Sequence, residues 1–153
     1  MRTAAALSAA SLLFCLPASF VSAAVQPDAE RFCFAACKAG VESVQFSDRA
    51  GDLIFPKTCA SRVAGLSLCL CLRRYCHEEA YSGELDGLNV TCQEQHDRVL
   101  PSFLDVANYT EGDIDALPKL TLANRSQEVP VSDVVIPDHN YQNAWLGTLV
   151  SEL

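Results

Sequence analysis

Cysteine spacing is the feature that most constrains this chain. Five of its eight cysteines fall between Cys59 and Cys92, two more stand four residues apart at Cys33 and Cys37, and the eighth is Cys15. In an oxidising compartment, several cysteines in a small domain form disulfides, whereas in the cytosol such thiols more often bind metal or take part in catalysis. The role of these residues therefore depends on where the chain is delivered.

The N-terminus has the three parts of a secretory signal peptide. Arg2 supplies a positive charge, an uncharged apolar stretch follows, and small residues end the segment. The apolar stretch is too short for a membrane anchor, because a helix rises about 1.5 Å per residue and the hydrocarbon layer is about 30 Å thick. We expect cleavage after Ala23 or Ala24, so that residues 1–23, with Cys15, are removed.

The remaining chain is predicted to be secreted or to lie on the extracellular face of the plasma membrane. No later stretch is long and apolar enough for a transmembrane helix. The formal net charge of −8 at pH 7 disfavours nucleic acid and anionic membrane surfaces as partners. Three Asn-x-Ser/Thr sequences agree with export and predict N-glycosylation at Asn89, Asn108 and Asn124.

The spacing of apolar residues predicts an all-α fold, a small disulfide-stabilised bundle of about three short helices with an extended C-terminal tail. The helices are expected over about 28–46, from 58 or 61 to about 75, and from a cap at Ser82 to near residue 100. The second helix should be the most buried, because extra leucines widen its apolar stripe. These helices make up a cysteine-rich helical ectodomain over residues 24–100.

Residues 101–153 are predicted to form an extended, juxtamembrane-like tail. A capping box at Thr110–Asp113 indicates one short helix through Leu117. Beyond it, Pro130 and Pro137 interrupt the chain, and the apolar residues are too few for a second core. We therefore expect this region to lie on the surface.

Disulfides would compensate for the small apolar area that three short helices can bury. Six cysteines allow fifteen connectivities, and the sequence alone selects none of them. If the first two helices are antiparallel, geometry favours one arrangement, in which the last pair pins the third helix. The predicted pairs are Cys33–Cys76, Cys37–Cys69 and Cys59–Cys92.

Cys71 is the odd cysteine of the mature chain in this arrangement. It stands two residues from Cys69, and so it faces away from that residue on a helix. We interpret it as a buried free thiol, with an intermolecular disulfide or an exchange of roles with Cys69 as the alternatives. A zinc site is disfavoured, because zinc needs thiolates in a reducing compartment.

An ordered series of motifs accompanies the cysteines. The motifs are CFAAC at 33–37, SLC at 67–69, YC at 75–76, LNVTC at 88–92, LP at 100–101, NYTEGDI at 108–114 and VVIP at 134–137. In order and spacing this series resembles the extracellular N-terminal region of filamentous-fungal ferric reductases, which are transmembrane metalloreductases of iron uptake. The resemblance extends from about Cys33 to the end of the chain, and in that family a segment similar to residues 144–149 leads into the first membrane helix.

The resemblance implies an ectodomain and not a working reductase. The family's haem is held by histidine pairs in membrane helices, and FAD and NADPH bind its cytoplasmic domains. Here His77, His96 and His139 are not spaced as helical pairs, and there is no glycine-rich dinucleotide loop. We predict no catalytic, metal or cofactor-binding residue in this chain. The implied partners are the membrane part of an NADPH-dependent ferric-chelate reductase, or an iron chelate.

Two other interpretations stay open. The chain could be a stand-alone secreted cysteine-rich binding protein or effector. It could also resemble the fungal CFEM domains, some of which bind haem through an aspartate just before a Cys-x-Cys; here the third position before Cys69 is Leu66. The remaining charged residues of note are interpreted as solvated helix surfaces: Arg73, Arg74, Glu78, Glu79, Glu84 and Asp86.

Overall fold

The computed structural model describes residues 30–49, 56–130 and 134–151. The predicted signal peptide, with Cys15, and the predicted start of the first helix near residue 28 lie outside the described residues. In the described part, helices predominate and three disulfides crosslink them, which confirms the small disulfide-stabilised helical fold. None of the helices in these ranges has the length and apolar character needed to cross a membrane.

The described chain contains short helices and four two-residue strands. The helices are α1 (Cys33–Glu42), α2 (Lys57–Ala60), α3 (Arg62–Tyr75), α4 (Ser82–His96), α5 (Glu111–Ala116) and α6 (His139–Ser151), with 3₁₀ turns at Glu78–Ala80 and Phe103–Val106. The strands are β1 (Gln45–Phe46), β2 (Lys119–Leu120), β3 (Glu128–Val129) and β4 (Ile136–Pro137). Strands β1 and β3 pair in parallel, as do β2 and β4.

Helix α3 is the most buried element, as its apolar pattern predicts, and every residue from Val63 to Leu72 is buried. Its start is fixed by side chains: the Ser61 hydroxyl accepts a hydrogen bond from the Ala64 N–H at 2.9 Å. Asp48 strengthens this end, because its carboxylate accepts from the Ser61 hydroxyl and from the Val63 N–H. A carboxylate and a hydroxyl thus satisfy helix N–H groups that have no partner within the helix.

The first and third predicted helices are shorter than the sequence indicates. Helix α1 ends at Glu42, because the chain turns at Ser43 and Val44 and enters β1 at Gln45. Helix α4 ends at His96, where Asp97 adopts a left-handed conformation with φ 49°. The prediction of Ser82 as the cap is wrong by one position, since Tyr81 occupies the cap and makes no side-chain hydrogen bond there.

Several of the described residues after Pro101 pack into the core, which corrects the prediction of an extended tail. Val106, Ile114 and Ile136 are at most 1% exposed and form one cluster with Leu70 of α3. Val106 and Ile114 have no large apolar residue beside them in the sequence, and Ile136 belongs to a short apolar run that ends at Pro137, so the three show no common helical or strand period. Their burial depends on the β2–β4 pairing and on long-range contacts, which spacing does not reveal.

Helix α6 is an element that the sequence did not predict, and it packs along α1. Its Tyr141 is 1% exposed, and the Tyr141 and Ser43 hydroxyls are hydrogen-bonded to each other. The helices approach closely at Gly40, where an added Cβ would lie 3.5 Å from atoms of Pro137 and Trp145. Close contact at a residue without a side chain lets the two aromatic rings of α6 lie against α1.

Candidate functional site: a cleft beside two adjacent disulfides

A cleft of about 220 Å³ lies where the start of α1, the end of α3 and the first turns of α6 meet. The Cys33–Cys76 disulfide lines it. Small-molecule sites commonly enclose roughly 300–1,000 Å³, so this cleft would hold the edge of a ligand rather than a whole one. The other residues that matter to its chemistry are Glu30, His77, His139, Gln142, Asn143 and Leu146.

A second disulfide lies directly behind the first. Cys37 bonds to Cys71, and both residues are 0% exposed. The Sγ atoms of Cys37 and Cys76, which belong to different disulfides, are 4.0 Å apart. The pairs Cys33–Cys76 and Cys59–Cys92 agree with the predicted arrangement.

The predicted Cys37–Cys69 pair and the free thiol at Cys71 are wrong, and the two residues exchange roles. The reason is the rise of a helix, about 1.5 Å per residue. Cys33 and Cys37 are one turn apart on α1, so their partners on the antiparallel chain must also be about one turn apart. Cys71 is five residues from Cys76, whereas Cys69 is seven residues away and would be nearly two turns distant.

Cys69 is instead a buried free thiol. Its side chain is 1% exposed, and its Sγ lies 3.4 Å from the carbonyl oxygen of Pro101, to which it donates. Burial raises the pKa of the Cys69 thiol from 9.0 to about 12, and the negative charge of Asp105 contributes in the same direction. A thiol that stays protonated at neutral pH is a poor nucleophile, so Cys69 is chemically inert in the folded chain.

Gln142 of α6 packs against the buried Cys37–Cys71 disulfide. Its Nε2 lies 3.5 Å from Cys37 Sγ, and its Oε1 lies 3.7 Å from Cys71 Sγ. The side chain is 3% exposed, so this polar amide is buried against sulfur. Sequence analysis missed this residue, and only the packing of α6 on α1 identifies it.

Two histidines line the cleft. His77 Nε2 lies 3.7 Å from Glu30 Oε1, and the His77 side chain is 80% exposed. His139 Nε2 lies 3.0 Å from Asn143 Nδ2, one turn further along α6. His96 lies elsewhere, in the last turn of α4. Over the described ranges, no group of three or more His, Cys, Asp or Glu residues is placed to hold a metal ion.

The Cys59–Cys92 disulfide has a different role, because it holds α4 to the rest of the fold. Helix α4 buries only Leu88 and Cys92 among its described residues. Closing a loop of this size is worth typically 2–4 kcal/mol of stability. A helix with so little buried surface depends on that crosslink. The four acidic residues of this region are all exposed: Glu78, Glu79, Glu84 and Asp86.

Arg73 and Arg74 are not merely solvated, which corrects their interpretation. Arg73 Nη1 donates to the carbonyl oxygen of Val106 at 2.9 Å. Arg74 lies 2.9 Å from a Glu111 carboxylate oxygen and 3.0 Å from one of Asp115. The end of α3 therefore holds the segment that leads into and through α5. The apolar spacing of the sequence gives no sign of this contact.

The three predicted glycosylation sites differ in their surroundings. Asn108 is exposed. Asn89, in α4, is half-buried, and its Oδ1 accepts a hydrogen bond from the Leu100 N–H at 3.2 Å. Asn124 Nδ2 donates to the Lys119 carbonyl oxygen at 2.8 Å, so the atom that would carry a sugar is already engaged.

Comparison with known proteins gives no family assignment: no family model, no curated protein and no solved structure matches the chain. The disulfides place the chain with proteins of oxidising compartments in general terms. The fold and the cleft are therefore interpreted from the residues of this chain alone.

Proposed function

We propose that this chain is the non-catalytic extracellular N-terminal domain of a ferric-reductase-like membrane protein involved in iron uptake. One observation supports its extracellular placement: three disulfides crosslink its helices. Such crosslinks persist outside the cell and are rare in the cytosol. The iron-related part of the proposal comes from the resemblance of the motifs between Cys33 and Pro137 to that family.

In this proposal the domain covers the outer face of the membrane enzyme and meets the iron chelate there. The cleft between α1, α3 and α6 is a surface at which such a chelate could rest. With a net charge of −8, the chain would repel anionic chelates and favour neutral or cationic ones. His77 and His139 supply hydrogen-bonding groups at the rim, while the metal stays within its chelator.

Transcript sequencing beyond the codon for Leu153 tests this proposal most directly. We expect the reading frame to continue into apolar helices that carry histidine pairs, and an antibody against residues 101–130 to label intact cells. A stop codon directly after Leu153 in every transcript, with the protein recovered from the medium, would overturn the ferric-reductase assignment.

A stand-alone secreted binding protein is the second candidate, and the packing of α6 favours it. Tyr141 and Gln142 of this helix are buried against α1 and the disulfide pair, so the C-terminal part closes on its own core. Under this candidate, recombinant residues 24–153 would be monomeric and would bind a ligand without any membrane partner. This binding can be tested by titrating the recombinant protein with a neutral ferric trihydroxamate and following the visible absorption of the chelate.

A further inference from the structure

We propose that the Cys33–Cys76 disulfide is a thiol-reactive site, whose opening transfers the buried crosslink from Cys37–Cys71 to Cys37–Cys76. The substrate class is a neutral or cationic dithiol that approaches through the cleft. The geometry points to this because a sulfur of the cleft-lining disulfide touches a sulfur of the buried one. The inference goes beyond the iron-related proposal and does not depend on it.

Exposure identifies which of the three disulfides is attacked first. Cys76 is half-buried and Cys33 is 7% exposed, and both line the cleft. Cys37 and Cys71 are 0% exposed, so no external thiolate reaches them directly. Exchange requires a thiolate to contact a disulfide sulfur, and accessibility therefore controls its rate.

The exposed fractions distinguish the third disulfide, Cys59–Cys92, less clearly from Cys33–Cys76. Cys59 is 7% exposed and lies at another cleft, but its partner Cys92 is 0% exposed. Of the two cleft-lining disulfides, Cys33–Cys76 thus offers the more accessible sulfur. We expect it to open first.

The first step consumes one dithiol. One thiolate of the reagent attacks a sulfur of the Cys33–Cys76 bond, which breaks as a mixed disulfide forms. The second thiol of the reagent then closes a cyclic disulfide and releases the protein sulfur. Cys33 and Cys76 both become thiols, the reagent is oxidised by two electrons, and the protein disulfide is reduced by two.

The second step needs no further reagent. Cys76 Sγ lies 4.0 Å from Cys37 Sγ in the oxidised structure, and once freed as a thiolate it attacks Cys37 Sγ, forming a Cys37–Cys76 bond. The Cys37–Cys71 bond breaks, and Cys71 leaves as a thiolate that takes up the proton lost by Cys76. One disulfide is made and one is broken, so the number of electrons on the protein is unchanged.

Gln142 acts as a positioning residue for the second step. Its Nε2 donates toward Cys37 Sγ, and its Oε1 lies 3.7 Å from Cys71 Sγ. That oxygen would accept a hydrogen bond from the S–H of Cys71 once the thiol is released. The Gln142 amide oxygen can therefore accept a hydrogen bond from Cys71 after the exchange, whereas the disulfide-bonded Cys71 has no S–H to donate.

The charge around the cleft selects the reagent. Glu30 lines the cleft, Glu78 and Glu79 are exposed beside His77, and the chain carries a net charge of −8. An anionic thiol would be repelled from this surface, whereas a neutral dithiol such as dithiothreitol would not. Dithiothreitol is therefore the probe.

The test is limited reduction of the folded protein with one equivalent of dithiothreitol, acid quenching, alkylation in denaturant and peptide mapping. Besides Cys69, which is a free thiol before and after the reaction, we expect alkylated Cys33 and Cys71, a Cys37–Cys76 peptide and an intact Cys59–Cys92 peptide. Alkylated Cys33 and Cys76 with Cys37–Cys71 intact would overturn the exchange. Reduction of Cys59–Cys92 first would overturn the choice of reactive disulfide.

Cys33→Ser removes the need for a reagent and tests the second step alone. The variant leaves a thiol at Cys76, and we expect mapping to find Cys37–Cys76 with Cys71 alkylated in most molecules. The control Cys92→Ser frees Cys59 instead, and there both disulfides of the cleft should stay as they are. A Cys33→Ser protein that keeps Cys37–Cys71 would refute the exchange.

Gln142→Leu separates positioning from simple packing in the wild-type background. We expect the ratio of Cys37–Cys76 to Cys37–Cys71 after limited reduction to fall severalfold, with the rate of the first reduction unchanged. Asn140→Ala, at an exposed position of the same helix outside the cleft lining, should leave that ratio unaltered. An equal ratio in Gln142→Leu and in the wild type would exclude a role for the amide.

Discussion

Pro101 lies so close to Gly65 that a Cβ at residue 65 would stand 2.5 Å from Cδ of the proline ring. No real contact of a Cβ is that short, so Gly65→Ala must displace either α3 or the chain at Pro101. Overpacking of a buried contact costs typically 1–3 kcal/mol. We expect a loss of that size in the free energy of unfolding, measured by denaturant titration under non-reducing conditions.

Gly87 provides the matched control for this substitution. It lies in the middle of α4, and a Cβ there would meet no atom within 4 Å. Alanine has the higher helix propensity, by up to about 1 kcal/mol. Gly87→Ala should therefore be neutral or stabilising, and equal effects at the two glycines would contradict the contact with Pro101.

Tyr141→Ala tests whether the C-terminal helix is part of the core. The side chain is 1% exposed, packs against Trp145 and is hydrogen-bonded to the Ser43 hydroxyl. Removing a buried aromatic ring costs about 3–5 kcal/mol, so we expect a large drop in the midpoint of chemical unfolding. Asn140→Ala, at an exposed position of the same helix, should change the midpoint little. Similar midpoints for the two variants would show that α6 is dispensable.

The Cys69 thiol should be unreactive in the folded protein and reactive after unfolding. With its pKa raised to about 12 in the folded state, ionisation above pH 9 occurs first in the unfolded chain. The stabilisation is therefore complete below pH 9 and is lost as the pH rises toward 12, at about 1.4 kcal/mol per pH unit.

The Cys69→Ala variant removes this source of alkaline sensitivity. Its free energy of unfolding should decline less between pH 8.5 and 10.5 than that of the wild type, in short incubations that limit disulfide exchange. Rapid labelling of native wild-type protein at Cys69 by a maleimide at pH 7 would contradict the burial of the thiol.

The Asp113 carboxylate should titrate below the usual range. Hydrogen bonds from the Thr110 hydroxyl and then from its backbone N–H lower the pKa of Asp113 from 3.8. Its contribution to stability is present above the unfolded pKa and is lost as the pH falls through the folded value. Thr110→Val should raise the pKa of Asp113 in an NMR titration, while the pKa of Asp105, which hydrogen bonds from Ser102 lower, should be the same in both proteins.

Glycan occupancy should follow the exposure of the three asparagines. If the chain is exported, Asn108 should carry a glycan, because its side chain is exposed. Asn124 should carry no glycan, because its Nδ2 donates a hydrogen bond to the Lys119 carbonyl oxygen. Glycopeptide mass spectrometry of secreted protein checks this, with Asn108→Gln as the control that removes the mass shift. Occupancy of Asn124 with an empty Asn108 would contradict the ranking.

Local signals predicted the elements that depend on neighbouring residues. The start of α3 near Ser61, the burial of α3 and the Thr110 capping box at the start of α5 all follow from residues that are close together in the sequence. Two of the three disulfides followed from assuming an antiparallel pair of helices. The third was misassigned, because Cys69 and Cys71 differ by only two residues and the axial offset between α1 and α3 decides which of them is in reach.

Long-range contacts account for what the sequence did not predict. Helix α6 has few apolar residues on a regular stripe, and its stability depends on Gly40, Ser43 and the disulfide behind Gln142. The cleft combines residues from three helices that are far apart in the sequence. Neither periodicity nor a motif connects such residues, so the candidate site could not be derived before the packing of α6 was known.

All the cysteines of this chain stand at or before residue 92, so α6 is attached to the core without any covalent crosslink. A force applied to the C-terminal end of α6 would be resisted by hydrophobic contacts and hydrogen bonds, which break at lower force than an S–S bond. Because His139, Gln142 and Leu146 form one wall of the cleft, such tension would uncover the sulfur atoms beneath while the crosslinked helices stayed in place.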